Sequence, residues 1–169
     1  KTIGIIGYGN NGSAFAKVLQ GFGCTVLAYD KYLDSFNTNW AKQVELQVIF
    51  RKADVLSLHI PLTEETTFLF DDDYLGNFKK PIYLINTSRG KCVDTKTILR
   101  GLKNKKISGA CLDVFDFEKT SFEQIEKSEA LKELIRTDKV ILSPHIAGWT
   151  FESYEKLSKI LLSKILLNH

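Results

Sequence analysis

The chain has 169 residues and a formal net charge of +3, with 44% hydrophobic and 25% charged residues. This composition is typical of one globular domain with a sizeable core, and the lysines are spread along the chain, so we expect no nucleic-acid partner. No apolar run is long enough to span a bilayer and no signal peptide is evident, so we expect no membrane partner and a cytoplasmic location.

The cysteines Cys24, Cys92 and Cys111 are odd in number and contain no C-x-x-C pair. We therefore expect reduced thiols, and we predict neither a disulfide nor a metal site. The chain has no methionine and begins directly in an apolar pattern that is typical of a strand. We interpret it as a piece of a longer protein.

The first part of the chain has the pattern of a strand, a glycine-rich turn, an amphipathic helix and a second strand. The second strand ends in Asp30. The predicted bounds of the three elements are about residues 2–6, 11–21 and 24–29.

The turn contains the run Gly7-x-Gly9-x-x-Gly12, in which each glycine has its own task at a dinucleotide site. Gly7 allows the tight turn, Gly9 lets the backbone approach a pyrophosphate, and Gly12 lets the helix pack close to the sheet. The N-terminus of the helix offers free N–H groups to the diphosphate, and Asp30 is spaced to accept hydrogen bonds from both adenosine ribose hydroxyls. An ordinary strand–turn–helix junction without a ligand is the alternative. The agreement of strand, helix and Asp30 argues against that alternative.

The rest of the chain continues to alternate strands and helices. After a polar loop at 31–39, strands are predicted at 53–60, 82–86, 107–114 and 140–142, with a short strand and a helix between 40 and 51. Further helices are predicted at 71–78, 94–103, 120–136 and 150–167, the first three starting at Asp71, at Asp94 and at the capping box Thr120-Ser121-Phe122-Glu123. This alternation predicts an α/β fold, a Rossmann-type doubly wound parallel sheet with helices on both faces. Ligands of such folds bind beyond the carboxyl ends of the strands, where the strand order reverses.

Three polar residues, Arg89, Glu118 and His145, follow predicted strand ends, so we expect them at the edge of the sheet that holds the dinucleotide. An imidazole exchanges a proton near neutral pH, a carboxylate beside it stabilises the imidazolium, and a guanidinium grips a carboxylate through two N–H bonds. The three groups suit hydride transfer to a 2-oxo acid: Arg89 holds the acid, His145 protonates the carbonyl oxygen and Glu118 supports His145. Each one taken alone could instead be a surface ion-pair partner, a solvated loop acid or a turn residue.

Four blocks of the sequence resemble the signature blocks of the D-isomer-specific 2-hydroxyacid dehydrogenases, the family of phosphoglycerate dehydrogenase and D-lactate dehydrogenase. The blocks are Gly7-x-Gly9-x-x-Gly12 with Asp30, Asn86-Thr87-Ser88-Arg89-Gly90, Leu112-Asp113-Val114-Phe115-x-x-Glu118 and Ser143-Pro144-His145-Ile146-Ala147-Gly148. They follow the order of the family and cover nearly the whole chain. The resemblance implies an NAD-dependent oxidoreductase that acts on a D-2-hydroxy acid or its 2-oxo partner, a phosphoglycerate-like or related small acid.

The resemblance also implies a role for individual residues. Arg89 is the substrate anchor, His145 the proton donor, and Glu118 the carboxylate partner of His145. Asp113 lies near the nicotinamide carboxamide, although it could instead be a turn acid at a strand end. The cofactor contacts implied by the resemblance are Gly7, Gly9, Asn10, Asn11, Gly12, Asp30, Ile60, Thr87, Ser88 and Asp113, with Asn10 and Asn11 at the phosphates and Asp30 at the ribose.

In the family, the substrate domain is built from segments on both sides of the nucleotide domain. The resemblance therefore implies an NAD-binding domain at residues 1–148 and, at 149–169, a helix leading back toward a substrate domain that is largely absent. We expect this piece to bind NAD with little or no turnover, and the intact protein to be a homo-oligomer, a dimer. Asp30 favours NAD because its carboxylate repels a 2′-phosphate.

Two positions depart from the family pattern, and two alternatives stay open. Asn11 is polar where the family has an aliphatic residue, and Lys119 stands where proline is common. An NAD-sensing corepressor of the same fold is one alternative, and formate dehydrogenase is the other, although Glu118 argues against it because an amide is typical there. His59 is interpreted as a packing residue of a buried strand, and His169 is given no role.

Overall fold

A computed structural model describes residues 1–36, 38–116 and 129–167 of the chain. The strands are β1 (Thr2–Ile6), β2 (Thr25–Tyr29), β3 (Lys42–Gln43), β4 (Val55–Leu58), β5 (Ile82–Asn86), β6 (Ile107–Leu112) and β7 (Val140–Leu142). The α-helices are α1 (Asn10–Val18), α2 (Leu46–Lys52), α3 (Asp72–Gly76), α4 (Thr95–Lys103), α5 (Glu129–Arg136) and α6 (Phe151–Leu167).

The seven strands form one parallel sheet in the order β3-β2-β1-β4-β5-β6-β7. The chain runs outward from β1 to β3, returns to pair β4 on the other side of β1, and then runs outward to β7. The strand order therefore reverses between β1 and β4, which is the switch point of a doubly wound sheet. This arrangement confirms the predicted Rossmann-type fold.

The alternation of side chains along β1 directs them to two separate cores. Ile3 and Ile5 pack on one face of the sheet in a cluster that includes Ala16 of α1. Ile6 belongs to the larger cluster on the opposite face, which includes buried residues of α2, α3, α4 and α5. Gly4 also points to that face, where a Cβ would lie 2.6 Å from a side-chain carbon of Ile49. Helices therefore cover both faces of the sheet, as predicted.

Most predicted bounds hold to within two residues, and the end of β4 is the difference that matters for the site. The strand was expected to reach residue 60, but it ends at Leu58, so His59 and Ile60 follow its carboxyl end. Asp71 and Asp94 cap their helices as predicted, because their carboxylates accept the N–H groups of Tyr74 and Lys96. The predicted capping box at 120–123 lies outside the described residues.

The last helix, α6, has no buried residue within the described chain. Its apolar side chains are exposed, including Phe151 at 94% of its surface and Leu157 at 66%. No described helix combines the length and the apolar character that crossing a membrane requires.

Candidate active site

The loops after the central strands continue the pairing of the sheet, which brings them to one edge. The N–H of Gly7 donates to the carbonyl of Tyr29 at 2.9 Å, and the N–H of His59 donates to the carbonyl of Ile6 at 2.8 Å. At the other half of the sheet, the N–H of Asp113 donates to the carbonyl of Asn86 at 3.0 Å. Residues that follow different strands are therefore held side by side along the carboxyl edge.

Two clefts open along this edge near the switch point. The apolar cleft has a volume of about 410 Å³ and lies beside the turns that follow β1 and β2, with Asp30 in its wall. The polar cleft has a volume of about 500 Å³, and Arg89 and His145 both line it. His59 and Ile60 line both clefts, so the two share a wall.

The glycine-rich turn has the close packing that its sequence predicts. Gly7 has a φ of +88°, and a Cβ there would lie 2.5 Å from the carbonyl oxygen of His59. A Cβ on Gly12 would lie 2.1 Å from the carbonyl oxygen of Gly7, so α1 can approach β1 only because that atom is missing. Gly9 differs from both, because a Cβ there would meet no atom within 4 Å.

The N-terminus of α1 is built to receive an anion. Gly9 is its N-cap residue and supplies no side-chain hydrogen bond, so the N–H groups of the first turn have no capping side chain. The open space at Gly9 leaves room beside these groups for a diphosphate. Asn11 of the first turn lines the polar cleft, whereas Asn10 is exposed and lines neither cleft.

Asp30 is held in place by the backbone on both sides of it. One carboxylate oxygen accepts the N–H of Tyr8 at 2.7 Å, and the other accepts the N–H of Tyr32 at 2.9 Å. Each carboxylate oxygen has two acceptor sites, so both oxygens can still accept a hydroxyl from the cleft. Asp30 at the end of β2, the free N–H groups of α1 and the open space at Gly9 together fit a dinucleotide.

The turn that carries Arg89 is organised by Asn86, a side chain only 1% exposed. The amide oxygen of Asn86 accepts the N–H and the hydroxyl of Ser88, at 3.1 and 2.8 Å, and its amide nitrogen donates to the carbonyl of Arg89 at 3.1 Å. A Cβ on Gly90 would lie 1.8 Å from the carbonyl oxygen of Phe115, so only glycine fits there. The hydroxyl of Ser88 is thus hydrogen-bonded within the turn. Arg89 is exposed and lines the polar cleft together with Thr87.

His145 lies on a loop that is anchored by hydrogen bonds to the side chain of Asp113. The backbone of His145 is left-handed, with a φ of +55°, a conformation that side-chain-bearing residues rarely adopt. The buried carboxylate of Asp113 accepts the hydroxyl of Ser143 at 2.6 Å and the N–H groups of Ile146 and Ala147, each at 2.9 Å. Burial by itself would raise the pKa of Asp113, but these hydrogen bonds and the nearby His145 outweigh it, so the pKa is lowered. Asp113 is therefore an ionised anchor for the loop.

His59 has a more prominent place than its interpretation as a packing residue suggested. Its ring does pack against Phe15, with centroids 5.2 Å apart, and its Nε2 lies 2.9 Å from the hydroxyl of Ser57. The ring also lines both clefts, and burial lowers the pKa of His59, which favours the neutral imidazole. The sequence signal for this placement was Pro61, two residues further along the chain, because proline disfavours a strand.

A second residue that the sequence did not indicate is Tyr74, whose side chain lines the apolar cleft. Its buried hydroxyl has no hydrogen-bond partner within the part of the chain that the structure describes. Burial raises the pKa of this phenol far above its ordinary value. A residue in the middle of a short helix gives no sequence signal of such a position.

The remaining predicted catalytic residue, Glu118, lies outside the described residues. Within the described ranges, no group of three or more His, Cys, Asp or Glu side chains could hold a metal ion. The three cysteines are free.

A glycine-rich turn on a helix N-terminus, an acid at the end of β2 and two clefts near the switch point define a dinucleotide-binding domain of the Rossmann class. Residues 1–147 match the family model described as "D-isomer specific 2-hydroxyacid dehydrogenase, NAD binding domain". The chain belongs to this family, and it is an NAD-binding domain.

Individual relatives agree with the family match. The chain is 36% identical over 170 residues to 2-hydroxyacid dehydrogenase A of Aspergillus oryzae and 33% identical over 170 residues to D-lactate dehydrogenase kk1H of Curvularia clavata, in each case aligning 98% of this chain with 49% of the relative. The NAD-complexed structure of a D-isomer specific 2-hydroxyacid dehydrogenase from Lactobacillus delbrueckii ssp. bulgaricus superposes with a TM-score of 0.86 at 32% identity, covering 98% of this chain and 52% of that one. The chain thus spans about half the length of the relatives it matches.

Proposed function

We propose that the whole protein is an NAD-dependent dehydrogenase that interconverts a small D-2-hydroxy acid and its 2-oxo acid. The observation that carries this proposal is the polar cleft, in which Arg89 and His145 face a common space. That cleft shares a wall with the apolar cleft that contains Asp30, so a dinucleotide that binds at Asp30 can reach the residues of the polar cleft.

The bound cofactor supplies the hydride acceptor in one direction and the hydride donor in the other. Arg89 binds the carboxylate of the acid through its guanidinium and orients the C2 carbon. His145 donates a proton to the carbonyl oxygen during reduction and takes the hydroxyl proton during oxidation. Glu118 stabilises the imidazolium form of His145, in the role that its place in the sequence suggests.

The cofactor is held by the residues that the sequence indicates. The N–H groups around Gly9, Asn10 and Asn11 bind the diphosphate, while Gly7 and Gly12 shape the turn that presents them. Asp30 binds the adenosine ribose. At the nicotinamide end the contacts come from Ile60, Thr87, Ser88 and Asp113, and Asp113 also keeps the His145 loop in position.

The substrate is a small 2-oxo acid. The name of the Curvularia clavata relative, a D-lactate dehydrogenase, supports an acid of lactate size, and a phosphoglycerate-like acid is the larger candidate. Because the relatives are about twice as long, we infer that a second lobe contacts the far end of the substrate. Residues 1–148 are then the NAD-binding domain and 149–169 the connection to that lobe. We further propose a cytoplasmic homodimer.

The test is NADH oxidation by the whole protein against a panel of small 2-oxo acids, with the configuration of each product determined. We expect turnover on at least one acid and a product of D configuration. Tight NADH binding without turnover on any acid would replace the dehydrogenase with the NAD-sensing alternative. A product of L configuration would contradict the assignment of the reaction.

A further inference from the structure

Three charged or polar side chains that line the apolar cleft are joined to one another by hydrogen bonds, and we call them the bridge. Lys31 and Tyr32 follow Asp30 directly after β2, and Glu65 reaches them from the loop between β4 and α3. One carboxylate oxygen of Glu65 accepts the Lys31 ammonium, and the other accepts the hydroxyl of Tyr32. The bridge joins the two walls of the cleft at the position next to Asp30.

The loop that carries Glu65 is ordered by its own hydrogen bonds. The N–H of Thr63 donates to the hydroxyl of Thr66 at 2.8 Å, and the N–H of Thr66 donates to the hydroxyl of Thr63 at 3.2 Å. The hydroxyl of Thr66 also donates to the carbonyl of Pro61 at 2.7 Å, and the hydroxyl of Thr67 donates to the carbonyl of Thr63 at 2.7 Å. Glu65 is therefore presented to Lys31 from a preformed turn.

The charges of this bridge affect the choice between NAD and NADP. The two cofactors differ by a phosphate on the 2′-oxygen of the adenosine ribose, which is the group that Asp30 is placed to bind. Lys31, which follows Asp30 in the chain, carries a positive charge that could bind such a phosphate. The ammonium of Lys31 is paired with Glu65. Asp30 and Glu65 together carry two negative charges, against one positive charge on Lys31.

We propose that Glu65 is a specificity-determining residue of the cofactor site: it disfavours NADP because its carboxylate neutralises Lys31. This inference rests on the proposed contact between Asp30 and the ribose. Asp30 repels the 2′-phosphate, and Glu65 withholds the cation that would otherwise offset that repulsion. NADH has no phosphate at this position, so its binding depends little on the Lys31–Glu65 pair.

The experiment measures the Kd of NADH and of NADPH for the whole protein by titration calorimetry, without a 2-oxo acid. Glu65→Gln keeps the shape of the side chain and an acceptor for Tyr32 but removes the charge that holds Lys31. Both partners are partly exposed, 57% for the Lys31 side chain and 43% for Glu65, so the expected effect is moderate. We expect NADPH to bind about three- to tenfold more tightly, with a smaller change for NADH.

Two further variants separate the pair from a general effect of charge. Glu64→Gln removes the same charge one residue away, on an exposed side chain outside the lining of either cleft, and we expect an unchanged ratio of the two Kd values. Adding Lys31→Gln to Glu65→Gln removes the released cation, and the gain in NADPH binding should disappear.

The possible outcomes distinguish a failure of the proposed function from a failure of the proposed role of Glu65. If the wild-type protein binds no NADH, the proposed function fails, and this inference fails with it. If NADH binds and Glu65→Gln leaves the ratio unchanged, or Glu64→Gln shifts it equally, the role of Glu65 is wrong while the proposed function stands. Thermal unfolding of each variant verifies that the loop change has not altered the fold.

Discussion

At the residue scale, Asp30 joins the turn after β1 to the end of β2, because its carboxylate accepts the N–H groups of Tyr8 and Tyr32. The proposed contact with the ribose adds charge-assisted hydrogen bonds, each worth about 1.5–3 kcal/mol. We therefore expect Asp30→Ala to weaken NADH binding by at least about tenfold and to narrow the gap between NADH and NADPH. Calorimetric titration with both cofactors measures this, and an unchanged gap would count against Asp30 as the ribose ligand.

Asp113 is a second residue with a large local effect, because its carboxylate accepts three hydrogen bonds from the His145 loop. In Asp113→Asn an amide N–H₂ group faces N–H donors, so we expect a loss of about 1–3 kcal/mol in the free energy of unfolding. The variant Asp34→Asn, at an exposed loop position, is the matched control and should lose far less.

This contribution of Asp113 depends on pH in a definite direction. The pKa of Asp113 in the folded protein lies below its ordinary value of 3.8, so the folded state favours the ionised form. The stabilisation is complete above about pH 4 and is lost as the pH falls through the lower, folded-state pKa. Denaturant unfolding of wild type and Asp113→Asn at neutral and acid pH should show the difference shrinking in acid. A difference that grows in acid would contradict the ionised anchor.

Several residues of the candidate site could be predicted because they directly follow strands in the sequence. Arg89 and His145 each come after an apolar run, and the parallel sheet brings both runs to one edge. The anchoring of the His145 loop by Asp113 could not be read from the chain, since it joins residues 30 or more positions apart. The place of His59 was missed because the strand was expected to extend to residue 60.

At the element scale, the junction of β1 and α1 separates the packing role of glycine from its binding role. A Cβ on Gly12 would collide with the carbonyl of Gly7, whereas a Cβ on Gly9 would enter open space. We expect Gly12→Ala to lower the free energy of unfolding by at least about 1–3 kcal/mol because the helix must shift. Gly9→Ala should leave stability nearly unchanged and weaken NADH binding, since the methyl group occupies the space for the diphosphate.

Each of the two variants serves as the control for the other. Thermal or denaturant unfolding measures stability, and titration with NADH measures binding. Normal NADH binding by Gly9→Ala would show that the diphosphate lies elsewhere. A fully stable Gly12→Ala protein would show that α1 does not need its close approach to β1.

Elements were predictable wherever local chemistry decides them. Asp71 and Asp94 cap helices through bonds within their own turns, and β5 has its predicted bounds because its apolar run ends in a polar turn. The end of α1 was harder to predict from the sequence. The helical pattern continues to residue 21, but the helix ends at Val18 and a 3₁₀ turn over Leu19–Phe22 follows. This turn has no buried residue, and Gly23 ends it with a left-handed φ of +61°.

At the scale of the whole molecule, the parallel doubly wound sheet followed from the alternation of strands and helices, while the division of the carboxyl edge into two clefts did not. That division depends on His59 and Ile60, which stand between the clefts because β4 ends early. The helix α6 also leaves its apolar side chains exposed. They fit the proposal that 149–169 connect to a further lobe.

The most direct test of the central claim is the oxidation of each enantiomer of a small 2-hydroxy acid by the whole protein with NAD, for wild type beside His145→Ala. We expect oxidation of the D enantiomer alone, at a rate that falls by about 10²–10⁴-fold in the variant because the proton acceptor is lost. NAD binding should be retained in the variant, since the ribose and diphosphate contacts are intact. Oxidation of the L enantiomer, or an unchanged rate in His145→Ala, would contradict the account.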